Sequence, residues 1–387
     1  DDHFSQVFSN SVFSRLVCRV LDLKDLRCFV HFFEENKIYH KLDFSIIKNV
    51  TTFSDDILMI PTIVLLELDE NLKVFPRAIY ADGKCISPDD QEWGLYKTYA
   101  VQNAQMRLLL SEHPKLHFPI DALVGSAQCL LDHDSVLYKL ISPHFYMQLP
   151  LNFAVLYISK SVGLNSQNEI YTPFCNNKNG LIESLKGAYL GLPDNSAYPE
   201  YQYRLSAPNV FGVYGAFLEK YWDVFYEFVN NVLSHCAYED ENIKSWSRYL
   251  AAMIPGFPGE DRIFEGDNLV CAITSFILNV SVEHSCDHYS YNLCSRTQMP
   301  LRLRKSNEHN FKNFLMRGED LFRHELANEM FFKCHTLVTL LDTHYSFSSE
   351  IQCYVNKFKI DLSALDKSLE KEELYIPLSQ MACSIQF

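Results

Sequence analysis

The sequence predicts a mainly helical fold with a small β-hairpin element near the N-terminus. Long apolar stripes at three- and four-residue spacing fill the chain after Pro88, whereas the clearest β-branched, strand-like runs lie before it. The 387 residues are 48% hydrophobic, spread without an obvious linker, so one large domain is expected rather than two equal ones. The division is a smaller N-terminal portion, 1–88, packed on a helical main domain, 89–387.

Residues 1 to 50 mix helical and irregular signals, and Phe29 to Lys41 has no clear period. Ile57 to Leu68, interrupted by Pro61, reads as a strand, and after Asp69 and Glu70 a second runs from Lys73 to Tyr80. Helical patterns follow at Trp93 to Glu112, Ala122 to Leu131, and Val136 to Leu140 leading into Pro143. Gly163 to Pro208 carries Asn, Gly, Pro and Ser at loop frequency. Val213 to His235 has Tyr214, Phe217, Leu218, Tyr221, Trp222, Phe225 and Phe228 on one stripe, the mark of a buried helix face. Gly256, Pro258 and Gly259 break the chain before Asn268 to Tyr289, which is apolar on most sides until Glu283 and His284 and so belongs at the centre of a large domain. Phe311 to Leu341 again reads as an amphipathic helix. The last stretch, Leu374 to Phe387, is apolar, irregular and without a charged side chain, so it is expected to insert into the protein.

A formal charge of −14 argues against a phosphate-tracking nucleic-acid surface and against electrostatic adhesion to anionic membranes. The longest apolar runs, such as Ile60 to Leu66, are far too short to span a bilayer, so no transmembrane segment is expected. The 12 cysteines are scattered with no CxxC pair, which predicts reduced thiols and a cytoplasmic, soluble protein. A first residue of Asp is also compatible with a trimmed N-terminus and secretion.

The chemistry-bearing signal is histidine. His113 and His117 stand four apart, so on a helix both imidazoles leave one face about a turn from each other, and His284 and His288 repeat the spacing. Four imidazoles with an oxygen donor or open positions suit a redox metal better than a closed structural zinc site. With 14 histidines in the chain, either pair alone is a weak signal, and a hydrogen-bonded core histidine is the alternative. Pro114 and Pro119 complicate the first pair, since Pro114 removes a backbone donor right after His113 and could bend or interrupt the helix, and Asp121 or Asp287 could serve as an oxygen ligand or as an acceptor orienting a ligand imidazole.

In this order the residues resemble the lipoxygenase family over roughly residues 90 to 305. Trp93 to Ala104 is similar to the family's approach to its first metal helix, followed by His113 and His117. Val136-Leu-Tyr-Lys-Leu-Ile-Ser-Pro-His144-Phe-Tyr is the most specific local match, with Asn152 matching an Asn a few residues on. Trp222, Phe228 and Val229 follow in register, then Ser281-Val-Glu-His284 with His288 at the fourth-ligand position, and Met299-Pro300 beyond. The resemblance implies a lipoxygenase-like helical domain with non-haem iron held by His113, His117, His284 and His288. It further implies hydrogen removal from an activated CH2 of a polyunsaturated fatty acid, addition of dioxygen, and an apolar channel. His144 would be structural rather than a ligand.

The chain departs from the family in spacing its first pair HxxxH rather than HxxxxH, which predicts a more regular or Pro-bent helix in place of the family's widened turn. It also ends in Phe387 where members end in an Ile whose carboxylate binds iron, so either the Phe387 carboxylate substitutes or that ligand is lost. A related oxygenase on a different apolar or amino-acid-like substrate, and a metal-free binding protein, are the competing functions.

Overall fold

The computed structural model describes residues 2–20, 23–34, 37–52, 54–68, 74–157, 175–192, 195, 197–236, 240–291, 298–305, 317–329, 333 and 336–387. After helix α1 (Asp2–Ser9) and a 3-10 turn (Val12–Leu16), the N-terminal portion alternates strands with two further 3-10 segments, Leu23–Phe32 and Ser45–Asn49. Strands β1 (Val17–Arg19), β2 (Ile38–Asp43), β3 (Ile57–Leu58), β4 (Thr62–Leu68), β5 (Val74–Ala81) and β6 (Lys84–Ile86) follow. The expected hairpin is the centre of a five-stranded antiparallel sheet ordered β1-β2-β4-β5-β6. Its connecting residues, with Asp69, Glu70 and Lys73, lie outside the described residues.

The single strand expected over Ile57 to Leu68 is two. Pro61 has no N–H for a ladder, and the chain changes partner across it: β3 pairs with β7 (Leu303–Arg304), whereas β4 joins the main sheet. A second proline, Pro76 in β5, sits opposite Leu66 where the β4–β5 register shifts. Side-chain alternation divides the sheet between two clusters. Val64, Leu66, Val74 and Ile79 join the main core, and Leu65 and Ala78 pack with Phe29 and Tyr39 on the other face. One continuous core runs from Phe4 to Ile385, so the N-terminal portion shares the main domain's interior.

The helical body is built on two long rods. The first is α2 (Trp93–Arg107), a π-helical turn (Leu108–Glu112) and α3 (His113–Leu130) in unbroken succession. Short helices α4 (Val136–Ile141) and α5 (Gln148–Tyr157) lead on to α6 (Lys178–Leu190), α7 (Gly212–Leu233) and α8 (Glu241–Met253). The second rod is α9 (Asn268–Leu278), a π-helical turn (Asn279–Glu283) and α10 (His284–Ser290). Asn268–Ser290 is long and apolar enough to cross a membrane, but 89% of its apolar window is buried inside the fold, as the core position expected for it requires. Nine described cysteines besides Cys286 are free thiols, in line with the scattered spacing.

Part of the Gly163 to Pro208 loop region is helix α6, and residues 163–174 lie outside the described residues. The helix expected over Phe311 to Leu341 is shorter: α11 spans Gly318–Ala327, Thr339 bridges Ala382, and residues 311–316, 330–332 and 334–335 are outside the described set. The sequence reading missed α12 (Ser349–Leu369), which buries Ile351, Val355, Phe358, Leu362 and Leu369 against α7. Phe358 stacks on Phe228 at 4.2 Å between ring centroids and meets Phe225 edge-on at 5.2 Å. Phe358→Ala should therefore cost about 3–5 kcal/mol in denaturant unfolding. Ile360→Ala on the same helix, at a position 68% exposed, should stay within about 0.5 kcal/mol. Equal losses would mean that this face is not what holds α12.

Candidate metal centre

Both rods carry the same local device. In each, a five-residue π-turn ends in a glutamate, Glu112 or Glu283, and a His-x-x-x-His pair starts at the next residue. The His113 N–H reaches back five residues to the Leu108 carbonyl, and the His284 N–H to the Asn279 carbonyl. This corrects the expectation of a regular or Pro-bent helix: the widened turn is present, but upstream of His113 instead of between the two histidines. A physical reason lies in Pro114, which has no N–H for the next α-helical bond, so a turn with spare carbonyls accommodates it at the start of α3.

The rods bring His113, His117, His284 and His288 together, with one nitrogen of each within 4.8 Å of the others. Hydrogen bonds fix the tautomers of the first pair. Asp287 Oδ2 lies 3.0 Å from His113 Nδ1, and a carboxylate oxygen accepts, so His113 carries its proton on Nδ1. Asn152 donates its Nδ2 to Asp121 at 2.6 Å, which turns its Oδ1 toward His117 Nδ1 at 2.7 Å, so His117 carries its proton on Nδ1 as well. Burial, with Arg15 acting in the same sense, pushes His113 down to about 3, and burial followed by the His113 charge pushes His117 down to about 3. Both rings are neutral at pH 7.

The consequence is a conflict of lone pairs. The bare Nε2 atoms of His113 and His117 face each other at 2.9 Å, and His284 Nε2 stands 3.0 Å from His117 Nε2. Two acceptors cannot bond each other, and a cation between them removes the repulsion. Imidazole nitrogens ~2.1 Å from a metal stand ~3.0 Å apart at a right angle and ~3.4 Å apart at a tetrahedral angle. The observed spacings match the right angle, so the donor set fits a metal with open positions better than a closed tetrahedral one.

Asp287 therefore orients the His113 imidazole directly, and Asp121 orients that of His117 through Asn152. Asp287 is buried and also takes Arg15 Nη2 at 2.6 Å, a partner that sequence reasoning missed because a lone Arg in an aperiodic segment carries no signal. Burial pushes the Asp287 carboxyl up, and the Arg15 guanidinium works against that shift.

His144 lies outside the cluster with both nitrogens engaged, by the Cys383 carbonyl at 2.5 Å and the Tyr345 hydroxyl at 2.8 Å. It pins the C-terminal tail, as do Ser285 Oγ on the Ala382 N–H at 3.0 Å and Ser384 on the Tyr146 carbonyl at 2.8 Å. The tail is buried from Met381 to Gln386, in line with the expected insertion, and it delivers the Phe387 ring to 5.3 Å from His284 and 4.8 Å from His288.

Beside both π-turns opens a cavity of about 440 Å³, lined by Arg15, Glu112, Lys115, Arg204, Asn279 and Glu283 among others. Arg204 pairs with Glu283 in its wall. The four histidines are not among its lining residues, and its charged wall is unlike the expected apolar channel.

No family model matches the chain, and no curated protein matches it. Solved structures do. The coral 8R-lipoxygenase superposes with a TM-score of 0.73 at 14% identity, over 100% of this chain and 66% of that one. A fungal lipoxygenase from Fusarium graminearum gives 0.71 at 15% identity, over 100% and 79%. An engineered LOX solved anaerobically in complex with arachidonate gives 0.73 at 14%, over 100% and 67%. The chain has the fold of the helical catalytic domain of lipoxygenases.

Two outcomes follow from the geometry. Asn152→Ala frees His117 Nδ1 and should weaken metal binding about 10- to 100-fold in a chelator-competition titration, while His144→Gln keeps its metal. The pH dependence of the metal-free protein has a definite sign. Unfolded imidazoles protonate near 6.5, whereas folded His113, His117 and His144 are held to about 3, 3 and 4. The unfolded chain thus binds more protons below pH ~6.5, and the melting temperature should fall between pH ~7 and ~5. A flat profile would mean that these rings are not buried neutral.

Proposed function

We propose that the chain is a non-haem iron dioxygenase of lipoxygenase type, acting with dioxygen on a polyunsaturated fatty acid or similar apolar substrate. His113, His117, His284 and His288 hold the metal, and the C-terminal tail brings the Phe387 ring beside them. The observation that carries this reading is the pair of unprotonated Nε2 atoms facing each other at 2.9 Å in a buried cluster. The fold it shares with lipoxygenases supports iron as the metal, and the likeness to a LOX holding arachidonate supports a fatty-acid substrate.

Bound iron would supply the one-electron and dioxygen chemistry. The chain's own residues keep the donors in place and neutral. Asp287 and Asn152 hold the protons of His113 and His117 on Nδ1, away from the metal-facing nitrogens. The buried tail and the Phe387 ring shield His284 and His288 from water. The charged cavity beside the π-turns favours a second reading, an oxygenase whose substrate carries a polar group.

Metal analysis of the purified protein should give one ion per chain, and His284→Ala should lower the affinity by about two orders of magnitude or more. With iron bound, incubation with linoleate in air should consume dioxygen and give a lipid hydroperoxide. Full stoichiometric metal in each single His113, His117 and His284 variant would place the metal elsewhere. Stoichiometric iron without linoleate turnover would favour the second reading. A metal-free wild-type protein would leave a binding protein on a lipoxygenase fold.

A further inference from the structure

We infer that Arg15, supplied by the N-terminal portion, is a positioning residue for the metal centre: through Asp287 it fixes the proton of His113 on Nδ1 and so presents His113 Nε2 as the donor. The inference rests on the reading of the four histidines as a metal site, and it extends that reading to a residue 98 positions away in sequence from the nearest of them (113 − 15).

Asp287 is fully buried, and a buried carboxylate without a cationic partner is costly, so something must compensate it. Arg15 does so with Nη2 at 2.6 Å from Oδ1, which leaves Oδ2 to take His113 Nδ1 at 3.0 Å. A carboxylate bonded at both oxygens cannot rotate freely, and this is what turns a possible contact into a fixed orientation. Arg15 is itself held. Its 3-10 turn buries Val12, Phe13 and Leu16, and Ser11 caps the turn by accepting the Phe13 N–H at 3.2 Å. The same turn packs against α10 and α7, so the guanidinium arrives on a rigid element.

The rings of His117 and His284 have different supports. His117 has Asn152, a neutral acceptor oriented by Asp121, and His284 Nδ1 is buried without a hydrogen-bond partner. Among these three rings His113 alone has a charged partner, and the charge on that partner is balanced from the N-terminal portion. Loss of Arg15 leaves Asp287 uncompensated and free to turn from His113, whose proton can then move to Nε2 and block the donor.

The test uses the full chain carrying 15N-labelled histidine. In the metal-free protein the His113 tautomer is read by NMR, and in parallel iron(II) affinity is measured by competition with a chelator. Wild type should show His113 protonated on Nδ1. Arg15→Gln and Asp287→Asn should each move His113 toward the Nε2–H tautomer or a mixture and weaken iron(II) binding about 10- to 100-fold. Arg15→Lys keeps the charge without the fork and should fall between, which also covers the case in which Arg15→Gln fails to fold. Folded Arg15 variants with an unchanged His113 tautomer and unchanged affinity would overturn the inference. If wild type binds no metal, the proposed function fails, while the tautomer measurement still decides whether Arg15 positions His113.

Discussion

Two imidazole nitrogens, each stripped of its proton by a hydrogen bond on the far side of its ring, meet at 2.9 Å in a buried space. That arrangement is unfavourable in isolation, and much of the fold is organised to hold it. Asp287 and Asn152 determine which nitrogen of each ring is bare, and Arg15 and Asp121 hold those two in turn. Removing any member of either chain relaxes the conflict, so the stored repulsion is a property of the network rather than of the histidines alone.

The rods make the convergence possible. A regular α-helix places residues four apart on one face but sets that face by the helix's own rotation, which its packing stripe already determines. A π-turn inserts extra chain and lets the segment after it face differently from the segment before it. Both rods use one immediately upstream of a histidine pair, so α2 and α9 can satisfy the core while α3 and α10 present imidazoles to each other. The tail and the N-terminal portion close the assembly from opposite ends of the sequence. One is pinned by His144 and Ser285 and brings Phe387, and the other brings Arg15.

The sequence made the long, strongly periodic elements legible, because burial of an entire stripe leaves a pattern that tertiary context cannot hide: α7 and the second rod stand within a few residues of where their apolar spacing puts them. The four histidines were legible by spacing plus a family-like order, and His144 was separable from them by the same order. Other features depend on partners distant in sequence. β3 is short and pairs with β7 near the other end of the chain, α12 hides a narrow stripe among charges, and Arg15 gains its meaning only when Asp287 is beside it. The π-turns were not legible: the HxxxH spacing of the first pair predicted a regular or Pro-bent helix, whereas a widened turn lies before His113.

Whether the converging Nε2 atoms hold a metal is read most directly by X-ray absorption at the iron edge of the iron-loaded protein. At least three imidazole nitrogens are expected at ~2.1 Å, with the outer-shell scattering that histidine rings produce. A first shell made of oxygens alone, with no imidazole scattering, would contradict it.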